Sequence, residues 1–361
     1  MKKTTSLDSA SRSFSQRILK WFDHHGRKDL PWQQNPAPYR VWVSEIMLQQ
    51  TQVKTVIPYY LQFMQRFPDV DSLANAKLDD VLHHWSGLGY YARARNLHKT
   101  AGIVSHQLHS KFPDTLDALI ELPGIGRSTA AAILSLASGQ QQTIMDGNVK
   151  RVLARHEAIM EWTGKPSTLK TLWKIAESYT PVKNTAAYNQ AMMDLGATLC
   201  TRSKPACERC PVAEDCQAFS QQLVTRLPVP KPKKILPVRD TIMLIIQKDA
   251  ELLLEKRPAN GIWGGLWSLP EIQSLELLEQ HCRQHWGLEV QTNDAPAAWH
   301  HTFSHYRLNV KPCVLDVVSS TPQIMDTDRY IWYNSNHINK LGLAAPVKQI
   351  LGKAPTIKES L

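Results

Sequence analysis

Four of the chain's six cysteines fall in one stretch, Cys200, Cys207, Cys210 and Cys216, with six, two and five residues between successive members. Thiolates crowded this closely repel one another unless a cation holds them, so a metal centre is expected rather than disulfides. Six cysteines in 361 residues are also too few for a secreted disulfide scaffold. Two centres compete. Zinc in a four-thiolate tetrahedron suits the Cys207-x2-Cys210 pair, but zinc ribbons set two such pairs far apart. Here all four ligands lie within residues 200–216 of a single loop, as for a [4Fe–4S] cubane, and the cluster is the favoured reading. Arg202, Lys204 and Arg209 are interleaved with the ligands. The loop then reads as a structural staple presenting positive charge to phosphates, rather than as an electron carrier. Cys282 and Cys313 lie outside the spacing and read as buried apolar fillers.

A chain of 361 residues exceeds the roughly 250 at which single cores stop growing, so at least two domains are expected. The formal charge of +10 favours a polyanionic partner, nucleic acid before an acidic membrane. No window reaches the ~18 to 20 consecutive apolar residues that a spanning helix requires. The N-terminus lacks the apolar run of a secretory signal and reads as a frayed start; with so few cysteines and no spanning helix, a reducing, cytoplasmic compartment is expected. From Phe14 to about Phe219, apolar residues recur at spacings of three and four, as in Val53, Val56, Ile57, Tyr60, Leu61 and Met64, which predicts an all-α domain over residues 1–226. A Pro- and Lys-rich linker occupies residues 227–240. Beyond it, Thr241–Ile246 and Glu251–Glu255 read as a hairpin, Leu275–Trp286 as a helix and Arg307–Val318 as strand, giving an α+β domain over residues 241–361.

Leu122-Pro-Gly-Ile-Gly126 forces a tight turn between two apolar helical stretches, a helix-hairpin-helix pattern. Gly124 and Gly126 let the backbone approach a ligand, and the next helix starts with unpaired N–H groups, a site suited to phosphate. Asp146 follows Gly126 by 20 residues, which suits one helix and a loop. An aspartate ahead of Val149-Lys-Arg-Val is by itself more often a helix cap than a catalyst.

Hairpin, aspartate and cysteine loop together resemble the helix-hairpin-helix DNA glycosylase superfamily that includes endonuclease III. Within it, Leu30-Pro-Trp32, Tyr39-Arg-Val-Trp-Val-Ser-Glu-Ile-Met-Leu-Gln-Gln-Thr-Gln-Val53 and Gly87-Leu-Gly-Tyr-Tyr-Ala-Arg-Ala-Arg-Asn96 resemble the adenine glycosylases of the MutY family. Relatives with lyase activity carry a hairpin lysine where this chain has Ser128, and serine cannot form a Schiff base. The resemblance therefore implies a monofunctional enzyme of base-excision repair. Its partner would be double-stranded DNA with adenine opposite 8-oxoguanine or guanine, met by a monomer in the nucleoid with transient repair partners. The linker and C-terminal third resemble a Nudix-like module that senses 8-oxoguanine, with Phe303, Ser304 and His305 on the sensing loop. The stretch Leu275–Gly287 lacks the Arg-Glu-x-x-Glu-Glu core of a Nudix hydrolase, so nucleotide hydrolysis is not expected.

The chemistry that follows is acid-assisted loss of a purine. A base inside a duplex must be flipped out, and by resemblance Gln49 and Tyr90 enter the duplex around the lesion. Glu45 stands among Val41, Val43, Ile46, Met47 and Leu48, where burial should raise its pKa and keep a proton for N7 of adenine. Asp146 would stabilise the oxocarbenium-like sugar, with Asn148 helping to deliver water. Trp32 and Gln190 would line the adenine pocket. Two rival functions remain: a bifunctional pyrimidine-lesion glycosylase and lyase of the endonuclease III type, and a non-catalytic iron–sulfur DNA-binding protein.

Overall fold

The computed structural model describes residues 4–232, 235–259, 261–303, 305–321, 328–334 and 341–351. The chain forms two compact units, residues 1–75 with 96–233, and residues 76–95 with 234–361.

The first unit is helical, as its apolar periodicity predicts. The first helix, Thr4–His25, buries Phe14, Ile18 and Phe22 against a core that includes Val152, Leu153, Leu172, Tyr188 and Leu195. The frayed start expected from the sequence is corrected here, because the helix seated by these three side chains already runs from Thr4. Helix Pro38–Leu48 opens on a proline at its first turn, where the missing N–H is not needed, and buries Val41, Trp42, Val43, Ile46 and Met47. Each large apolar side chain buried this way contributes roughly 1.5–3 kcal/mol, so the backbone beneath Glu45 is firmly held. Asp69 caps helix Val70–Ala74 by accepting from Ser72 N at 2.8 Å, which explains the break read at Pro68-Asp69.

Helices Leu116–Ile120 and Arg127–Ala132 flank the hairpin turn, and the second continues as one wide π-turn over Ile133–Ala137. Of the two hairpin glycines only Gly124 has a positive φ, +80°, and a Cβ there would sit 2.8 Å from Asn96 Cβ. Gly126 caps the next helix at φ −92° with open space around it. Both remain exposed, as a backbone contact to a phosphate requires.

The second unit is built on an eight-stranded mixed sheet. Strands β1 (Val238–Lys248) and β2 (Glu251–Lys256) form the expected hairpin, with Asp249 in the turn at φ +53°. Six further strands follow: β3 (Trp267–Ser268), β4 (Glu271–Ile272), β5 (Leu288–Asn293), β6 (Trp299–Thr302), β7 (Arg307–Ser320) and β8 (Tyr330–Asn334). β1 and β7 pair in parallel over Val238↔Arg307 to Gln247↔Asp316, and β5 and β6 add antiparallel to β7. Helix Leu278–Trp286 covers one face, packing Leu278, Cys282 and Trp286 on Leu244, Leu253 and Leu315. Cys282 and Cys313 are both buried in this core, as expected of apolar fillers. Residues 76–95 belong to this unit: Asp79 pairs with Lys256 at 2.8 Å, and Arg95 Nη1 donates to Gly264 O at 2.6 Å.

Candidate active site and cluster loop

Glu45 sits in the middle of helix Pro38–Leu48. Its side chain keeps some accessible surface, but the carboxyl lies deep enough that desolvation, and next the charge of Asp146, push its pKa up to about 8. The sign of the resulting stability effect follows directly. A carboxyl whose folded pKa exceeds its unfolded value favours the fold while protonated, and that stability is lost as pH rises from about 4.5 through about 8. Glu45→Gln, which stays neutral, is therefore expected to melt higher than the native chain above pH 8. Partial exposure discounts the gain to about 1–3 kcal/mol, and melting curves of the two proteins should converge near pH 5.

Asp146 is the N-cap of helix Gly147–His156. Its Oδ1 accepts from Asn148 N at 2.9 Å and Val149 N at 2.8 Å, while Oδ2 accepts from Asn148 Nδ2 at 2.8 Å. Burial lifts its pKa above the usual carboxylate value, against the downward pull of these N–H groups and of Arg151. The capping role weighed from the sequence is thus present, and it holds the carboxylate in a fixed orientation beside Glu45. Ser128 Oγ accepts from Met145 N at 3.2 Å and so steadies the residue before Asp146.

Asn148, Arg151 and Asn189 complete the support. Arg151 Nη2 donates to Asn148 Oδ1 at 2.9 Å and to Gly196 O at 2.6 Å, and its Nε reaches Cys200 O at 2.8 Å. Gly196 admits this close crossing, since a Cβ there would meet Asn148 Cβ at 2.6 Å. Asn189 is buried, and its Nδ2 donates to Ser135 Oγ and to Gln142 O, both at 2.8 Å, tying the π-turn to the strand of chain that leads to Asp146. Sequence reasoning passed over Asn189 and Arg151. Their signal was a polar side chain on an otherwise apolar helical face, which requires a partner when buried.

A cavity of about 220 Å³ is lined by Trp32, Val41, Ser44, Leu136 and Gln190 among others, Val41 and Ser44 lying on the helix that carries Glu45. It brings together the two residues expected to form the adenine pocket, and Ser44 is the neighbour of Glu45. Trp32 is held edge-on to Tyr60, with ring centroids 5.5 Å apart. Gln49 ends the same helix as its C-cap. Within the second unit, Tyr90 is 51% exposed with φ +49°, which is incompatible with a packed core tyrosine. Arg93 lies over its ring, 5.5 Å from the centroid. Phe303 and His305 fall between β6 and β7, closed by Phe303 N donating to Tyr306 O at 2.9 Å, with Trp263 packed edge-on against Phe303. Ser304 lies outside the described residues.

The four loop cysteines line one cavity with Val152, Arg155, Leu199, Val212 and Phe219. Burial raises the pKa of Cys207, Cys210 and Cys216, and the neighbouring thiols add to the rise, with Cys210 pushed up to about 12. Such a set is unfavourable as bare thiolates and fits a bound cation. Arg155, almost fully buried, clamps the loop: Nη1 donates to Cys200 Sγ at 3.3 Å and Thr201 O at 2.7 Å, Nη2 to Arg202 O at 3.1 Å, and Nε to Leu227 O at 2.8 Å. Arg202, Lys204 and Arg209 are exposed around it.

Comparison with known proteins shows the family and the fold. The family model for the HhH-GPD superfamily base excision DNA repair proteins matches residues 43–178. The iron-sulfur binding domain of endonuclease III matches residues 200–216, and a NUDIX domain matches residues 241–353. The adenine DNA glycosylase of Buchnera aphidicola subsp. Acyrthosiphon pisum is 41% identical over 338 residues, covering 94% of this chain and 96% of that one. The adenine DNA glycosylase of Homo sapiens is 32% identical, covering 94% of this chain and 73% of its own. Among solved structures, a thermostable thymine-DNA glycosylase superposes with a TM-score of 0.52 at 26% identity, over 60% of this chain and 99% of that one. An endonuclease III–DNA complex shares the fold at a TM-score of 0.51 and 19% identity, over 60% and 98%. The match over residues 200–216 shows an iron–sulfur loop of the [4Fe–4S] type, and Cys200, Cys207, Cys210 and Cys216, which line one cavity, are the residues that would hold the cluster. Cys210→Ala is expected to lose the iron content and visible absorption of the purified protein. It should also lower Tm by on the order of 10 °C, because metal-binding energy is folding energy here.

Proposed function

The chain belongs to the adenine DNA glycosylases, enzymes of base-excision repair, and on that premise we propose that it is monofunctional and acts on adenine opposite 8-oxoguanine or guanine. The observation that carries the chemistry is the carboxyl pair: Glu45, lifted to about 8 by desolvation and by the charge of Asp146, on the same helix as Val41 and Ser44, which line a cavity together with Trp32 and Gln190.

In this reading the flipped adenine enters the cavity and Glu45, still protonated at neutral pH, donates to N7. A purine leaves poorly until it is protonated, and the sugar then gains oxocarbenium character. The Asp146 carboxylate, oriented by its three N–H donors, would stabilise that charge. Asn148, held by Arg151, supports the attacking water. Ser128 in the hairpin, where lyases carry lysine, leaves no amine for a Schiff base.

DNA is the partner. Gly124 and Gly126 would face a phosphate, Gln49 and Tyr90 would fill the gap left by the flipped base, and Phe303, Ser304 and His305 would read the base opposite. The exposed φ-positive Tyr90 supports the wedge role. No helix among the described residues is long and apolar enough to cross a membrane. A cytoplasmic monomer associated with the nucleoid is the expected setting.

The test is single-turnover release of adenine from a duplex with adenine opposite 8-oxoguanine, followed by alkali. Release with strand breakage only after alkali is the expected result. Breakage without alkali would place the chain with the lyases.

A further inference from the structure

We infer that Asp194 is a specificity-determining positioning residue, which orients the Gln190 amide so that the cavity accepts a 6-amino purine and rejects a 6-oxo purine. The inference rests on the placement of adenine in the cavity lined by Trp32 and Gln190.

Asp194 is fully buried on helix Thr185–Thr198, one turn beyond Gln190. Its Oδ1 accepts from Arg27 Nε at 2.9 Å, Arg27 Nη2 at 2.6 Å and Gln190 Nε2 at 2.9 Å, and its Oδ2 accepts from Arg27 N at 2.7 Å. A carboxylate only accepts hydrogen bonds, whereas an amide offers an NH2 on one side and an oxygen on the other. Flipping Gln190 would set its oxygen against the buried charge, so one N–H of the NH2 is committed to Asp194 whatever fills the cavity and the amide oxygen is held on the opposite side of the group. It is this oxygen, rather than the second N–H, that Gln190 would offer to the cavity it lines.

An oxygen in that position has a defined chemical taste. It accepts from the exocyclic 6-amino group of adenine and opposes the 6-oxo group of hypoxanthine or guanine, and a buried acceptor left unmatched carries the full penalty of desolvation. The same carboxylate fixes the facing wall. Arg27 leads into the segment that ends at Trp32, and Gln33 ties that segment back by donating from Nε2 to Arg27 O at 3.0 Å and accepting from Leu30 N at 3.1 Å. One buried charge therefore sets both the acceptor and the aromatic wall. Sequence reasoning named Gln190 but passed over Asp194, whose signal was a lone acid in the run Met192-Met193-Asp194-Leu195.

The experiment compares single-turnover base release from three duplexes carrying 2′-deoxyadenosine, 2′-deoxyinosine or the unsubstituted purine nucleoside opposite 8-oxoguanine. In Asp194→Asn the new amide can turn its N–H toward Gln190, which frees that side chain to flip. The adenine-to-purine rate ratio should fall about tenfold, and release of hypoxanthine relative to adenine should rise by a similar factor. Gln190→Leu should lower the adenine-to-purine ratio alike, and adding Asp194→Asn to it should leave the ratio unchanged. The Gln190→Leu arm decides the matter even where Asp194→Asn folds poorly by thermal melt. Equal slowing of all three substrates, or an unchanged ratio in Gln190→Leu, would overturn the inference while adenine release by the native protein still supports the proposed function. A native protein that released no adenine would instead sink the reading on which it rests.

Discussion

Glu45→Gln is expected to slow adenine release by about 10²- to 10⁴-fold, the range over which a positioned general acid acts, while binding of the mispaired duplex stays within about twofold. The substitution keeps the volume and a polar terminus at a position whose helix is anchored by Val43, Ile46 and Met47, so the scaffold is undisturbed. What it removes is the proton that burial and Asp146 hold on the carboxyl up to about pH 8. The native rate should accordingly stay flat toward pH 8 and fall about tenfold for each further unit. Gel-shift affinity and single-turnover rates across pH 6 to 10 check both halves. Near-native release by Glu45→Gln would make the residue a bystander.

What the sequence disclosed follows the range of the interactions involved. Helices and the cysteine loop are local, so apolar spacing and ligand spacing mark them directly. The hairpin turn was legible through Gly124, whose positive φ needs glycine, and the Asp146 cap through its place ahead of Val149. The two-residue strands β3 and β4 carry too little pattern to see, and they exist because β2 and β1 offer them an edge. The parallel pairing of β1 with β7 joins residues about 70 positions apart and leaves no local trace. Within the site, Glu45 and Gln190 were named because their motif is specific. Asp194 meets Gln190 one helical turn away, but the ties of Arg27 to Asp194, of Asn189 to Ile144 and of Arg151 to Cys200 span 45 to 167 positions of chain, and only the folded geometry relates those. Position 146 carries both kinds of information, a local cap and a distant charge, which is why substitutions there can separate the two.

Asp146→Asn is expected to slow base release by about 10²- to 10³-fold with almost no change in melting temperature. Asparagine caps a helix about as well as aspartate, so the bonds to Asn148 N and Val149 N survive. The negative charge that would face the developing oxocarbenium does not, and electrostatic stabilisation in a dry site is of that order. Asp146→Ala should lose the same rate and, in addition, about 1 kcal/mol of stability through the missing cap. The pair thus divides chemistry from structure: if the cap were the whole role, Asn would be near-native in rate and Ala alone impaired. Asp146→Asn carries a second signature that a structural residue could not produce. Its like charge is the second cause of the raised Glu45 pKa, after desolvation. Removing it should move the high-pH fall in residual activity to lower pH, because Glu45 then gives up its proton more readily. A limb that stays at the native pH would mean that the two carboxyls do not act as a coupled pair.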